Sequence, residues 1–198
     1  RSGMVVCVFD GPDRIQHMFW RFLEDHHPAR TDSTNSHPNS IRDMYVRMDK
    51  LVGKTMQQVG DDTTLIVMSD HGFTSFRRSV DLNAWLLEQG HLTLKDGAQT
   101  SNRIYLADVD WSQTRAYAIG LAGIFINEQG RESQGIVPPG ERKQKLVSQI
   151  AQSLTGIVDP DCGQVAVHEA MPRDEVYCGP YTEAAPDIIV GYTQGYRV

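Results

Sequence analysis

The sequence predicts an α/β protein with a mostly parallel sheet flanked by helices and a small α+β cap or insertion. Apolar, β-branched runs without alternation at residues 5–9 and 63–68 have the composition of strands covered on both faces. Helical apolar periodicity lies between them, and strand, helices and strand in this order predict a parallel, right-handed crossover. Short β-type segments between residues 104 and 127 predict the cap.

The length, composition and net charge of the chain limit the classes of protein to which it can belong. The 198 residues and 22.2 kDa can bury one substantial core with a small appended lobe. A hydrophobic content of 40%, 22% charged residues and no apolar run near 18 predict a soluble globular protein without a membrane span. A net charge of −6 argues against a nucleic-acid groove on a basic surface.

The cysteines indicate the cellular compartment of the protein, and the chain ends indicate whether the sequence is part of a longer protein. The three cysteines form no Cys-x-x-Cys pair, and Cys7 in its apolar run is interpreted as a small core residue. This favours a reducing, cytoplasmic compartment, while a bridge between Cys162 and Cys178 stays open. Because both ends lie close to predicted strands, we expect an excised piece of a longer protein.

The first half of the chain contains two predicted helices. Ile15, Met18, Phe19 and Phe22 form an apolar stripe, and apolar residues recur every three or four positions from 41 to 59. Between them lies a polar loop over 26–40. We interpret His26 and His27 as solvated loop residues, with metal ligation as the alternative, and His37 has no role beyond that of a mobile lid.

The second half contains shorter elements. Asp81 is expected to cap a helix that runs to 87 and is ended by Gly90, and a strand is predicted at 91–94. Further strands are predicted at 104–106, 115–119, 123–127, 165–168 and 187–192, and a helix between 138 and 154. His168 is expected to face solvent. The expected domains are a core at 1–72, a cap at 73–170 and a return to the core at 171–198.

The stretch after the strand at 63–68 carries metal-ligand chemistry. Asp70 supplies a hard anionic oxygen and His71 a neutral nitrogen, a pair that suits zinc or manganese. Gly72 lets the chain turn sharply beside an ion. Taken singly, such a tripeptide is more often a capped turn.

A matching pair follows the strand at 5–9. Asp13 and His17 are four residues apart, so both side chains lie on one helical face. Two ions roughly 4 Å apart can hold the attacking and leaving oxygens of a phosphoryl group. The structural alternative is an acid favourable to the helix dipole and a surface histidine.

Two arginines, Arg77 and Arg78, come shortly after the second pair. A guanidinium matches phosphate or carboxylate oxygens at two points, so these residues are candidates for substrate binding. A solvated pair in a loop is the alternative interpretation.

These motifs resemble the alkaline phosphatase superfamily, and most closely the type I phosphodiesterase/nucleotide pyrophosphatase branch of predicted phosphohydrolases and phosphomutases. The similarity continues through residues 13–20, 127–132, 177–181 and 185–190. It implies an alkaline-phosphatase-like core, two divalent ions (zinc or manganese) and a small phosphorylated substrate. Asp13 and His17 would bind one ion, and Asp70 and His71 the other.

Three elements of that family have no counterpart in this chain. The resemblance implies an early aspartate and a Thr or Ser nucleophile upstream of Arg1, and a closing histidine downstream of Val198. The expected function is phosphodiester or pyrophosphate hydrolysis by the complete protein, with the isolated chain inactive. Phosphomonoesterase or phosphomutase activity is the alternative within the superfamily, and a noncatalytic α/β domain that binds through the loop at 26–40 is the alternative outside it.

Overall fold

The computed structural model describes residues 3–30, 37–98 and 106–198. Its helices and sheets confirm the α/β class. The chain forms two compact units, residues 1–77 and residues 78–198. No helix of the described residues is both long and apolar enough to cross a membrane. The expected domains at 1–72, 73–170 and 171–198 stay a prediction.

The unit of residues 1–77 is built on two packed helices. Helix α1 (Gly11–Phe19) continues into a 3₁₀ turn at Trp20–Phe22, and α2 spans Ser40–Val59. Pro12 lies in the first turn of α1, where its fixed φ suits a helix and its missing N–H costs nothing. The helices are in close contact, since a Cβ at Gly11 would lie 3.3 Å from Met44 Cε.

The strands predicted at 5–9 and 63–68 are wrong for the described structure. Both segments are non-helical and belong to no strand, and Val5 and Ile66 are 89% and 75% exposed. A strand needs a neighbour for its backbone N–H and C=O groups, and none of the described residues pairs with these segments. The expected crossover is therefore absent from the described residues of this unit.

The cysteine predictions are corrected in the same way. Cys7 is exposed and is not a core residue, because the segment around it is not covered by other elements. Cys162 and Cys178 are free and exposed, so the open alternative of a bridge between them is not realised.

The unit of residues 78–198 contains all the strands of the described structure. They are β1 (Arg78–Ser79), β2 (Ala116–Ile119), β3 (Gly123–Ile126), β4 (Val167–Pro172), β5 (Ile188–Tyr192) and β6 (Tyr196–Arg197). β1 and β6 form a parallel pair, and the other four form an antiparallel sheet in the order β2-β3-β5-β4. The sheet is antiparallel at β2 and β3 because a three-residue turn with Gly120 at φ 74 joins them, too short for a parallel crossover.

Helices cover this sheet and complete the core. They are α3 (Leu82–Glu88), α4 (Glu141–Leu154) and the short α5 (Arg173–Val176), with a 3₁₀ turn at Thr182–Ala184. The apolar face of α4 is buried together with α3 and the sheet in one hydrophobic cluster. Each fully buried Leu or Ile contributes about 1.5–3 kcal/mol. The largest side chains in it include Leu82, Leu86, Ile124, Ile126, Ile150, Leu154 and Ile188.

The remaining element predictions have mixed outcomes. Asp81 accepts the Ala84 backbone N–H at 2.9 Å, as expected of a helix cap. The strand predicted at 91–94 is wrong, since only Leu94 forms a single bridge, to Val109. Residues 104 and 105 lie outside the described residues, and Leu106 is in a turn. The strand predicted at 165–168 begins later, at Val167, and His168 is exposed as expected.

Candidate metal centre

The four predicted metal ligands lie together in the unit of residues 1–77. Asp13 and His17 project from the same face of α1 because they are one helical turn apart. Asp70 and His71 follow the extended apolar segment at 63–68. The cluster therefore joins two parts of the chain that are more than fifty residues apart in sequence.

One carboxylate oxygen is central to the cluster. Asp13 Oδ1 lies 3.3 Å from His17 Nε2 and 3.8 Å from His71 Nε2. His71 Nε2 also lies 3.8 Å from Asp70 Oδ2. The four side chains are 45% to 90% exposed, so solvent and ions can reach them.

The imidazole of His71 is held by its own loop. Its Nδ1 lies 2.9 Å from the Gly72 carbonyl, and because a carbonyl only accepts, Nδ1 carries the hydrogen. Nε2, the other ring nitrogen, then presents a lone pair toward Asp13 and Asp70. The hydrogen bond to Gly72, followed by the negative charge of Asp70, raises the pKa of His71.

An aromatic side chain supports both imidazoles. The Phe73 ring lies 4.9 Å from the His17 ring in an edge-on arrangement and 5.4 Å from the His71 ring, between ring centres. Trp20 stacks on Phe73 at 5.7 Å. Aromatic packing of this kind limits the rotamers of the two histidines without occupying their Nε2 atoms.

The donor set fits divalent ions in chemistry and spacing. Two ligands of a tetrahedral zinc ion at ~2.1 Å are about 3.4 Å apart, close to the 3.3 Å between Asp13 Oδ1 and His17 Nε2. Carboxylate and imidazole together suit zinc or manganese. However, the described residues contain no group of three or more His, Cys, Asp or Glu side chains arranged to hold an ion. The assignment of the two Asp/His pairs as metal ligands therefore stays a prediction.

The two arginines have separate partners. The Arg77 guanidinium donates to the His26 carbonyl at 2.7 Å and lies 3.4 Å from Glu24. Arg78 begins β1 in the other unit and donates to both Asp159 and Asp161, and these hydrogen bonds raise its pKa. Both guanidiniums are bound to protein oxygens, so their role as substrate contacts stays a prediction.

Two other histidines of the first unit, His27 and His37, have side-chain contacts with protein groups, and His26 is exposed as expected. His27 Nε2 donates to the Phe76 carbonyl at 2.8 Å, and its Nδ1 accepts the Ala29 N–H at 3.1 Å. The ring of His37 packs edge-on against Phe19 at 5.4 Å. His27 thus connects the start of the loop at 26–40 to residue 76. Residues 31–36 of this loop lie outside the described residues, so its role as a lid stays a prediction.

The sequence interpretation missed a buried ionic cluster in the unit of residues 78–198. Asp187, 1% exposed, accepts from Arg131 Nη2 at 2.7 Å, from the Ile126 N–H at 2.7 Å and forms an ion pair with Lys143 at 2.9 Å. Lys143 also pairs with Glu128. The available signal was an acid placed directly before a buried strand, inside the segment 185–190 that carries the family resemblance.

Comparison with protein families gives one result over the whole chain. The model of the type I phosphodiesterase / nucleotide pyrophosphatase family matches residues 1–198. Comparison with curated proteins and with solved structures gives no match. Together with the order of the two Asp/His pairs, the family match means that this chain belongs to the type I phosphodiesterase / nucleotide pyrophosphatase family.

Proposed function

We propose that the complete protein is a metal-dependent phosphoester hydrolase, of the phosphodiesterase or nucleotide pyrophosphatase type, that acts on a small phosphorylated substrate. The observation that carries the proposal is the approach of His17 and His71 to one oxygen of Asp13, with Asp70 beside His71. Membership of the family supports the same reaction class.

We assign two divalent ions, zinc or manganese, to these side chains. Asp13 and His17 would hold one ion, and Asp70 and His71 the other. When bound, such ions neutralise the phosphate oxygens and stabilise the charge on the leaving oxygen. Because His71 Nδ1 donates a hydrogen bond to the Gly72 carbonyl, Nε2 keeps its lone pair for a metal ion. Phe73 packs against both imidazoles and restrains them.

The nucleophile is expected outside these 198 residues. The family uses a Thr or Ser that follows an earlier strand, and neither Ser69 nor Thr74 occupies that position. The Ser69 hydroxyl donates to the His71 carbonyl at 2.5 Å, so its proton is already engaged with the backbone. The proposal therefore assigns turnover to the complete protein and inactivity to the isolated chain.

A phosphate-binding role for Arg77 and Arg78 remains part of the proposal. It requires each guanidinium to exchange a carboxylate partner for a substrate phosphate, Glu24 for Arg77 and Asp159 or Asp161 for Arg78. A guanidinium binds both groups in the same bidentate manner, so such an exchange conserves the type of contact.

The test compares hydrolysis of bis-p-nitrophenyl phosphate and p-nitrophenyl phosphate by the complete protein, stripped with chelator and reloaded with zinc or manganese. We expect faster cleavage of the diester, dependent on the metal. Asp70→Ala should lower turnover by at least ~100-fold, since a ligand of one ion is lost. Asp62→Ala, at an exposed turn upstream, is the matched control and should retain full activity. Near-normal turnover by Asp70→Ala would refute the proposal.

The same ligands also serve monoester hydrolysis and phosphoryl transfer to a second hydroxyl, so a phosphomonoesterase or phosphomutase is the alternative enzyme. A preference for the monoester would favour this alternative. No turnover of either compound would also favour it, with an enzyme that accepts only a narrow range of natural substrates.

A noncatalytic α/β binding domain is the alternative from another class. It is favoured by the lack, among the described residues, of three side chains arranged around one ion. A direct titration of zinc or manganese into the complete protein separates the two: loss of binding in Asp13→Ala and Asp70→Ala supports the enzyme, and no metal binding supports the binding domain.

We also infer a reducing, cytoplasmic location. The support is the state of Cys7, Cys162 and Cys178, which are unpaired and exposed. Fractionation of cells that express the complete protein tests this, and recovery in a secreted fraction would contradict it.

A further inference from the structure

An open cavity of about 300 Å³ lies between α4 and the residues just before β2, in the unit of residues 78–198. It shares no residue with the candidate metal centre. Its rim carries three positive side chains: Arg115, Arg142 and Lys145.

The cationic side chains of α4 form two groups, one with ion-pair partners among the described residues and one without. Lys143 is half-buried and forms ion pairs with Glu128 and Asp187 at 2.7 and 2.9 Å. Arg142 and Lys145 are exposed, and no ion pair joins either of them to another described residue. A spacing of three residues places Arg142 and Lys145 on one helical face, where like charges repel and destabilise the helix slightly. Their charges therefore remain for an external anion.

Arg115 is the third cation and is anchored from another segment. Its Nη2 donates to the Gly90 carbonyl at 3.1 Å, which leaves the other N–H groups of the guanidinium for a ligand. Its positive charge acts locally, since it helps burial to lower the pKa of His91. The rim is therefore positive in a chain whose net charge is −6.

The floor of the cavity is apolar. Ile136, Pro138 and Leu146 form it, since they line the cavity and are more buried than the three cations; Gln149, one helical turn beyond Lys145, also lines the cavity. An apolar floor under a cationic rim matches a ligand with two parts, an anionic group for the rim and an apolar or planar body for the floor. A small inorganic anion would use only the rim.

We propose that this cavity binds a phosphomonoester dianion that carries an apolar or aromatic group, of which a nucleoside 5′-monophosphate is the representative. A dianion neutralises the cluster better than a single carboxylate, and guanidinium groups bind phosphate oxygens in pairs. The site goes beyond the proposed function, because it requires neither the metal ions nor turnover.

The experiment is calorimetric titration of adenosine 5′-monophosphate into the complete protein after removal of metal by chelator and dialysis. We expect saturable binding with a dissociation constant below ~1 mM. Arg142→Ala and Lys145→Ala should each weaken it by about tenfold, as expected for loss of a charge-assisted hydrogen bond. The control Lys54→Ala removes the same charge from an exposed position on α2 and should leave the affinity unchanged.

Two further ligands test the two parts of the site. Adenosine, which lacks the phosphate, should not bind, and inorganic phosphate should bind at least about fivefold more weakly than the nucleotide. Equal binding of the nucleotide by Arg142→Ala, Lys145→Ala and the parent protein would overturn the proposal. Equal affinity for inorganic phosphate and nucleotide would overturn the role of the apolar floor.

The result of the nucleotide titration does not depend on whether the proposed hydrolase function is correct. Asp70→Ala should bind the nucleotide as the parent does, although it is expected to lose hydrolysis. Loss of nucleotide binding in Asp70→Ala would place the ligand at the metal centre and overturn the second site. Circular dichroism of each variant, unchanged from the parent, confirms that a lost affinity is not a lost fold.

Discussion

Two apolar segments of similar composition have opposite environments in this protein. In residues 65–68, Ile66 is 75% exposed, whereas Ile188 at the start of β5 is completely buried. β5 has β3 on one side and β4 on the other, while no described residue pairs with residues 65–68. An apolar, β-branched sequence favours a strand, but neighbouring strands and covering helices decide whether it is buried.

The charged clusters of the two units also differ in how far they are exposed to solvent. Asp187 is buried and bound to Arg131, Lys143 and a backbone N–H, so its charge is fully compensated. Asp13 and Asp70 are exposed and face imidazole nitrogens at 3.3 to 3.8 Å. A compensated buried charge organises a core, whereas an accessible group of carboxylates and imidazoles is a candidate for binding.

Asp187→Ala should produce the largest effect on stability. It leaves Arg131 and Lys143 partly buried without the fully buried carboxylate that they share, which costs about 3–5 kcal/mol of unfolding free energy. Urea unfolding followed by the fluorescence of Trp85 and Trp111 measures this in the unit concerned. Asp96→Ala, at an exposed turn of the same unit, should change stability by less than ~0.5 kcal/mol. A loss below ~1 kcal/mol in Asp187→Ala would show that the buried charge of Asp187 does not organise the core.

A matched pair of substitutions tests the comparison of the two segments. Ile188→Ala should cost about 2–5 kcal/mol, because it leaves a cavity beside the sheet, and Ile66→Ala should cost less than ~0.5 kcal/mol. Urea unfolding with Trp85 and Trp111 reports on the first variant, and Trp20 reports on the second. A cost above ~2 kcal/mol for Ile66→Ala would show that residues 65–68 are buried in solution, as Ile188 is.

The contribution of Asp187 should also depend on pH. Burial raises the pKa of Asp187, but hydrogen bonds from Arg131, the Ile126 N–H and Lys143 outweigh burial and lower it below the ordinary 3.8. The folded carboxylate therefore holds its charge at lower pH than the unfolded one. Its stabilisation is complete above about pH 4 to 5 and is lost as the pH falls further.

Asp187→Asn provides the measurement for this pH dependence. The difference in unfolding free energy between the parent and Asp187→Asn should be largest near neutral pH and should shrink below about pH 4. Asp96→Asn is the control, with a difference close to zero throughout. A difference between the parent and Asp187→Asn that stays constant from neutral pH to about pH 3 would assign the effect of Asp187 to its shape rather than to its charge.

The smallest predicted effect concerns a helix cap. Asp81→Ala removes the acceptor of the Ala84 N–H and should destabilise the unit by about 1 kcal/mol, while Asp81→Asn should retain most of the stability. Urea unfolding of both variants, with exposed Glu88→Ala at the other end of α3 as the control, checks this. Equal stability of Asp81→Ala and the parent would exclude the cap.

Local features of the fold could be predicted from the sequence. The cap at Asp81 and the helices that became α2 and α4 depend on residues within one or two turns of each other, so their signals lie in short stretches. The spacing that places Asp13 and His17 on one face of α1 is equally local. The α/β class followed from the mixture of helical and β-type patterns, although the parallel crossover expected between residues 5–9 and 63–68 is absent from the described residues.

Contacts between distant residues could not be predicted. Arg131 and Asp187 are 56 residues apart in sequence, and nothing near either residue names the other as its partner. The antiparallel pairing of β3 with β5 and the exposure of Cys7 also depend on distant segments. The strands expected at 5–9 and 63–68 were wrong for the same reason.

Short-range patterns in the sequence therefore account for helices α1 to α4, the cap at Asp81 and the candidate donor side chains, and the whole sequence identifies the family. The burial of particular apolar segments, the approach of His71 Nε2 to Asp13 and the cations of α4 that line the cavity without an ion pair to another described residue depend on the tertiary fold. The physical reason is that hydrogen bonds and helical faces arise between near neighbours, while burial, ion pairing and strand pairing require surfaces brought together from distant parts of the chain.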